Sequence, residues 1–322
     1  MKFKKFGWNG LFFEVPENIR FTREGGNVRN GHVVLESENC MVEAKWEPFN
    51  PKKVKPLSEV AEGLVQQMRK QAKKKKQIVK VLRKDDARVY KHKALYMVVK
   101  SPVEERVYLW YCDETERIII WRFVFASFDE DSRKIVKRVL DTLRCHGEEA
   151  DVWSLLNLKF EIPSTFLLTE TKITVGRAHF MLTDRELSSF AERTESILIE
   201  YFSMANLLYE DSYRDPGKWL EENYLKDLGK RFKERRMKFQ TAETRRFRRH
   251  KMEVKKATAT SGFSWRKTSL YTNATWYCPR TNRVYSVTAS SSLKRPAPFR
   301  RASDEEAHES LVEDFLSSFK CH

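Results

Sequence analysis

The chain has 322 residues, with 61 Lys+Arg against 45 Asp+Glu and a formal charge of +16. With 41% hydrophobic and 12% aromatic residues it can bury two cores, which excludes a disordered tail. Apolar runs such as Ile118–Trp121 fall far short of the ~20 residues of a membrane span, no apolar signal segment follows Met1–Trp8, and five Cys is an odd count for a secreted disulfide scaffold, so a soluble cytoplasmic protein is expected.

In chain order, short alternating runs at 11–15, 19–24, 32–37 and 40–47 read as strands. A helix is expected at 57–76, with Val60, Leu64, Met68 and Ala72 at four-residue spacing. Apolar, β-branched and aromatic runs at 88–99, 106–112 and 117–126 predict a meander. Asp129 is placed to cap a last helix whose apolar face is Ile135, Val136, Val139, Leu140 and Leu143.

The second half repeats this order. Phe13-Glu14-Val15-Pro16 returns as Phe160-Glu161-Ile162-Pro163, preceded by Trp8 and Trp153. His32 matches His179, and Trp110-Tyr111-Cys112 matches Trp276-Tyr277-Cys278, with Thr115 and Arg117 echoed by Thr281 and Arg283. Both halves close on a helix and Cys-His: Cys145-His146 and Cys321-His322. Helices are expected near 216–235 and 304–319, and longer connections at 203–215 and 290–301 account for most of the extra length. The chain reads as a tandem duplication with domains at 1–147 and 148–322. Each is expected to be α+β, an antiparallel sheet flanked by two helices.

The Phe-x-Val/Ile-Pro entries at Phe13–Pro16 and Phe160–Pro163, followed by strands, helix, strands and helix, resemble the PsbP-like α/β/α sandwich family. That resemblance implies a binding or assembly factor in place of a catalyst.

Cys and His recur in register. A hairpin centred near Ser101-Pro102 sets His92 opposite Cys112, and the last helix returns Cys145 and His146 to the same sheet end. Its counterpart, turning beside Ser261-Gly262, gathers His250, Cys278, Cys321 and His322. Two thiolates and two imidazoles at one point form a tetrahedral zinc site, so one structural zinc per domain is expected, two in all. Disulfides Cys112–Cys145 and Cys278–Cys321, or plain buried Cys and His, are the competing readings.

Positive charge gathers at Lys73, Lys74, Lys75 and Lys76, and again at Arg235, Arg236, Arg245, Arg246, Arg248 and Arg249, with Phe247 among the last four. Twin basic stripes of this kind neutralise phosphates, and Phe247 is placed to stack on a base, so nucleic acid or a ribonucleoprotein is the expected partner. The plainer readings are solvated helix ends and an inward-pointing Phe247. An adaptor for an acidic protein partner is the alternative function. The chain carries no glycine-rich phosphate loop, Gly-x-Ser-x-Gly elbow or His-Glu-x-x-His, so a non-enzymatic role is expected.

Overall fold

The computed structural model describes residues 1–147, 150–208, 215–232, 237, 239–296 and 304–322. The chain divides into two compact units, Met1–Asn157 and Leu158–His322.

In the first unit, β1 (Phe3–Trp8) and β2 (Leu11–Pro16) form a hairpin. Its turn is Asn9-Gly10, both at positive φ (50° and 77°), the type I′ geometry that suits this dipeptide between twisted strands. Strand β10 (Ala150–Leu155) pairs on the other side of β1, and Trp8 meets Trp153 edge-on at 5.2 Å. The main sheet comprises β3 (Arg20–Gly26), β4 (Gly31–Glu36), β5 (Cys40–Pro48), β6 (Lys80–Val89), β7 (His92–Ser101), β8 (Val103–Cys112) and β9 (Arg117–Phe125), in the order β3-β4-β5-β9-β8-β7-β6. All its pairings are antiparallel.

Side chains alternate across that sheet, so each face has its own cover. One face carries Trp46, Trp110, Trp121 and Phe123, all buried, and Phe13 of β2 packs edge-on to Trp121 at 4.7 Å. The helix α2 (Glu130–Thr142) packs against β2, and Asp129 caps it by accepting from Ser132 N at 2.9 Å. The other face carries Leu95, Met97, Val107, Leu109 and Ile120 beneath α1 (Leu57–Lys74), which contributes Ala61, Val65 and Ala72.

The second unit contains β11 (Leu158–Pro163), β12 (Leu167–Thr174), β13 (Arg177–Ser188), β14 (Ala191–Ser203), β15 (Gln240–Phe247), β16 (His250–Ser261), β17 (Trp265–Cys278) and β18 (Arg283–Pro296). Its sheet runs β12-β13-β14-β18-β17-β16-β15. Helices are α3 (Ala205–Leu208), α4 (Pro216–Asn223), α5 (Leu225–Arg231) and α6 (Glu305–Ser318). On one face Phe319 stacks on Phe160 of β11 and meets Trp276 edge-on. On the other, α4 and α5 bring Trp219, Leu220, Tyr224 and Leu228 onto Met181, Leu198, Phe202 and Val284.

These elements correct the expected α+β class with two helices flanking each sheet. The protein is mostly β, with 55% strand against 22% helix, three antiparallel sheets and six helices among the described residues. Two physical causes stand out. Strands β16, β17 and β18 run 12, 14 and 14 residues, and β18 continues through Ser290–Pro296, inside the stretch expected as a connection at 290–301. The helix expected at 216–235 breaks at Tyr224 (φ −131°, ψ −29°) into two pieces of 8 and 7 residues.

Candidate metal centre

Each unit brings two Cys and two His to one end of its main sheet. The register Ala94↔Trp110 sets His92, which opens β7, alongside Cys112, which closes β8. Cys145 and His146 follow α2 on a short tail that bridges to β2. Arg144 N donates to Phe12 O at 2.8 Å, and Phe12 N to Arg144 O at 2.9 Å. In the second unit Met252↔Trp276 aligns His250 with Cys278, and Lys320 and Lys159 form the equivalent bridge before Cys321 and His322.

The two groups are His92, Cys112, Cys145 and His146, and His250, Cys278, Cys321 and His322. Within each, one ligand atom per residue lies within 4.8 Å of all the others, an arrangement that can hold a metal ion. The same atoms converge in both. Cys112 Sγ lies 3.3 Å from His146 Nδ1, and Cys145 Sγ lies 3.2 Å from His92 Nε2 and 3.5 Å from His146 Nδ1. Their counterparts are 3.3 Å for Cys278–His322, 3.4 Å for Cys321–His250 and 3.3 Å for Cys321–His322. Tetrahedral zinc with ordinary Zn–S and Zn–N bonds sets S and N roughly 3.6 Å apart, so the groups are close to ligating geometry.

The donors' chemistry fits a cation. All five cysteines are buried and free of disulfides. The neighbouring Cys145 thiol lowers the pKa of Cys112 against the opposing effect of burial. The same contact, with burial and the Cys112 charge, holds Cys145 protonated far above the usual thiol range. In the second unit burial, then the charge of Cys278, pushes Cys321 up to about 12. Ionising Cys145 or Cys321 therefore calls for a positive charge close by. Burial, then His322, lowers the His250 pKa, favouring the neutral imidazole that offers a lone pair.

Residues around the ligands were not singled out from sequence. Buried Arg117 donates to the carbonyls of Asn9 (2.9 Å), Val28 (3.2 Å) and Cys145 (3.0 Å), clamping the ligand tail to the sheet. Glu114 Oε1 lies 3.8 Å from His146 Nε2. The recurrence of Arg117 as Arg283 was the signal that could have found it. His179, matched with His32, lies outside the metal group, buried and bonded to Glu170 at 2.8 Å. Unmatched Cys40 is buried, which pushes its thiol up to about 12.

The basic residues are placed unequally. Lys73, Lys74, Lys75 and Lys76 are all exposed at the end of α1, whereas Arg235 and Arg236 lie outside the described residues. Arg245 pairs with Glu313 at 2.6 Å and with Glu243 at 3.6 Å. Exposed Arg248 and Arg249 form the tight β15–β16 turn at positive φ (44° and 74°), and Arg248 donates to Ser317 O. Arg246 is exposed. Phe247 corrects the base-stacking expectation: it is 9% exposed and packs on Trp276 with ring centroids 4.9 Å apart. Period-two alternation turns it into the core while its arginine neighbours face out.

No described helix is long and apolar enough to cross a membrane. No protein-family model and no curated protein matches the chain.

Proposed function

We propose that the chain is a zinc-stabilised binding protein in which each unit closes around one structural Zn2+. The convergence of two Cys and two His on one point in both units carries this reading. Four protein ligands leave no open coordination position, the arrangement of a structural site. Each ion would tie the tail that follows the last helix to the hairpin end. Metal analysis of protein purified without chelator tests this, with two zinc ions per chain expected. Protein that carries no zinc and gains no stability from added Zn2+ would refute it.

Support for nucleic acid or a ribonucleoprotein as the partner comes from the net charge of +16 and the four exposed lysines Lys73–Lys76. With Arg245 ion-paired and Phe247 in the core, the reading now leans on the first unit rather than on twin stripes. Fluorescence anisotropy with single-stranded RNA, structured RNA and duplex DNA across a salt series tests it. Affinity should fall linearly in log–log form with salt, and Gln at Lys73–Lys76 should flatten that slope. Absence of binding at low salt would leave an acidic protein as the partner to seek.

A further inference from the structure

The second unit is longer than the first at one end of its sheet, the end away from its Cys/His group. His92 and Cys112 are 20 positions apart, whereas His250 and Cys278 are 28 apart. The matched His32 and His179 pair across their hairpins with Lys45 and Glu200, 13 and 21 positions away. Both hairpins have therefore grown by four residues per arm, roughly 13 Å of strand. Strand β18, which runs between them, has 14 residues where β9 has 9.

In the first unit the shorter hairpins turn on Ser37-Glu38-Asn39 and on Pro102. In the second the added length ends in apolar side chains. The β13–β14 turn carries Phe190, 72% exposed, with Leu187 beside it at 66%, and the β16–β17 turn carries Phe263 at 98%. Trp265, which opens β17, is 43% exposed, whereas the other seven tryptophans are buried. Strand register sets both turns at the same end. Leu187, Glu192, Lys294, Lys267 and Ser261 form one row across β13, β14, β18, β17 and β16. The turns stand three strand spacings apart, roughly 14 Å.

Cations lie directly behind these tips. Arg266 is opposite Arg295, and Lys267 opposite Lys294, on the neighbouring strands β17 and β18. Like charges facing each other across a ladder destabilise it, so an anion outside the fold is the natural complement. Glu192 lies 3.9 Å from Lys294 and 2.7 Å from Arg185, and Glu195 takes Arg193 at 2.6 Å. Alternation sends the two like-charge pairs to opposite faces of the sheet, so cations flank the tip on both sides. One and two residues in from Trp265, they sit roughly 3–7 Å behind it.

Exposed apolar groups of this size mark an interaction site. Their shape selects the partner. A protein interface needs roughly 800 Å² of fitted surface per side, and single-stranded nucleic acid needs aromatics lining a groove along its backbone. Two projecting turns 14 Å apart, by the roughly 4.8 Å strand spacing, form neither. Phe and Leu at the extremity, Trp at the border and Arg and Lys behind match the layers of a bilayer surface, from acyl boundary to headgroup.

We propose that this end of the second unit docks onto an anionic lipid bilayer. Phe190, Phe263 and Leu187 enter the boundary between headgroups and acyl chains, and Arg266, Arg295, Lys267 and Lys294 meet lipid phosphates. Docking by turns requires no membrane-crossing helix and leaves the exposed lysines of the first unit for another partner.

Flotation of the full-length chain with vesicles of phosphatidylcholine, alone or with about 30% phosphatidylglycerol, tests the surface. The chain should float with the anionic vesicles, and less so as salt is raised. Brominated lipid should quench the emission of Trp265, and Trp265→Phe should remove that quenching. Phe190→Ser/Phe263→Ser should weaken vesicle binding at least about tenfold with thermal unfolding unchanged, since both side chains are exposed. The same loss should appear in a chain carrying Gln at Lys73–Lys76, which separates the tips from attraction by those lysines. Absence of binding to the anionic vesicles would overturn the proposal, as would binding unaltered by Phe190→Ser/Phe263→Ser. Self-association or RNA binding that depends on Phe190 and Phe263, without vesicle binding, would assign the tips to a second copy or to nucleic acid and overturn it equally.

Discussion

Arg117 donates to the carbonyl of Cys145 at 3.0 Å, and the corresponding carbonyl in the second unit, that of Cys321, is instead held by the Tyr285 hydroxyl at 3.3 Å. Arg283, the sequence counterpart of Arg117, lies over the Tyr201 ring at 4.0 Å. The two Cys/His groups share their residue types and differ in what steadies them. In the first unit a buried cation that serves three carbonyls holds the tail, whereas in the second a neutral hydroxyl meets the equivalent carbonyl.

Arg117→Met should therefore hurt more than Tyr285→Phe. The first removes the donor from two buried carbonyls and one half-buried one and should cost about 3 kcal/mol, the second about 1 kcal/mol. Urea titrations of the two variants check the order. Competition with a zinc chelator should show the first site of Arg117→Met weakened roughly tenfold or more, since outer partners orient metal ligands.

Removing one ligand should empty one site alone. Cys112→Ser is expected to reduce zinc from two ions to one per chain and to destabilise the first unit, because a structural ion contributes ~10 kcal/mol or more where it is bound. Metal analysis, with hydrogen exchange to locate the loosened unit, reads the outcome. Two ions retained in that variant would dismiss Cys112 as a ligand.

Phe247 belongs to the core, against Trp276, so Phe247→Ala should cost about 3–4 kcal/mol of stability. Thermal unfolding measures this. A loss of RNA affinity with unfolding unchanged would return Phe247 to a surface role.

His308 supplies a dependence on pH. It is 4% exposed on α6, with Nε2 bonded to Thr272 Oγ1 at 3.0 Å and Nδ1 to Ser291 Oγ at 2.8 Å. Burial, followed by nearby Lys256 and opposed by Glu309, lowers its pKa from 6.5 to about 4. The unfolded chain then takes up a proton that the folded chain refuses. Stability is complete above about pH 6.5, declines as pH falls toward 4, and levels off below, with the contribution capped near ~3 kcal/mol. Thiolate ligands also protonate in acid, so the informative quantity is the difference between wild type and His308→Gln. Urea midpoints of the two at pH 7 and pH 4.5 should differ in their acid loss, with the wild type losing more.

How far the sequence carries depends on whether a feature is local. The duplication, the turn centres and the tail order put His92 with Cys112 and His250 with Cys278, because a hairpin's register follows from its midpoint and the side-chain period is two. Capping by Asp129 and Asp304 was equally local, each accepting from a backbone N–H three residues on. The break at Tyr224 was not, since Trp219, Leu225, Leu228 and Phe232 keep helical spacing across it, whereas in the fold Trp219 and Tyr224 both close on the Phe202 ring.

The buried polar residues of β16 and β17 lay further from reach. Glu253, Lys255, Asn273 and Thr275 alternate with apolar neighbours, the pattern of a strand with one face in solvent, yet Lys255 is 1% exposed and Asn273 fully buried. Alternation tells which residues share a face. What covers that face is decided by a helix arriving from elsewhere in the chain, α1 over leucines in one unit and α4 over serine, threonine and asparagine in the other. The sequence alone thus determined the repeat and the two Cys/His groups that could hold a metal, whose spacing constrains backbone paths. Tertiary structure decided the predominance of strands, the burial of Phe247 and the polar interior, because these depend on contacts between segments with no fixed separation along the chain.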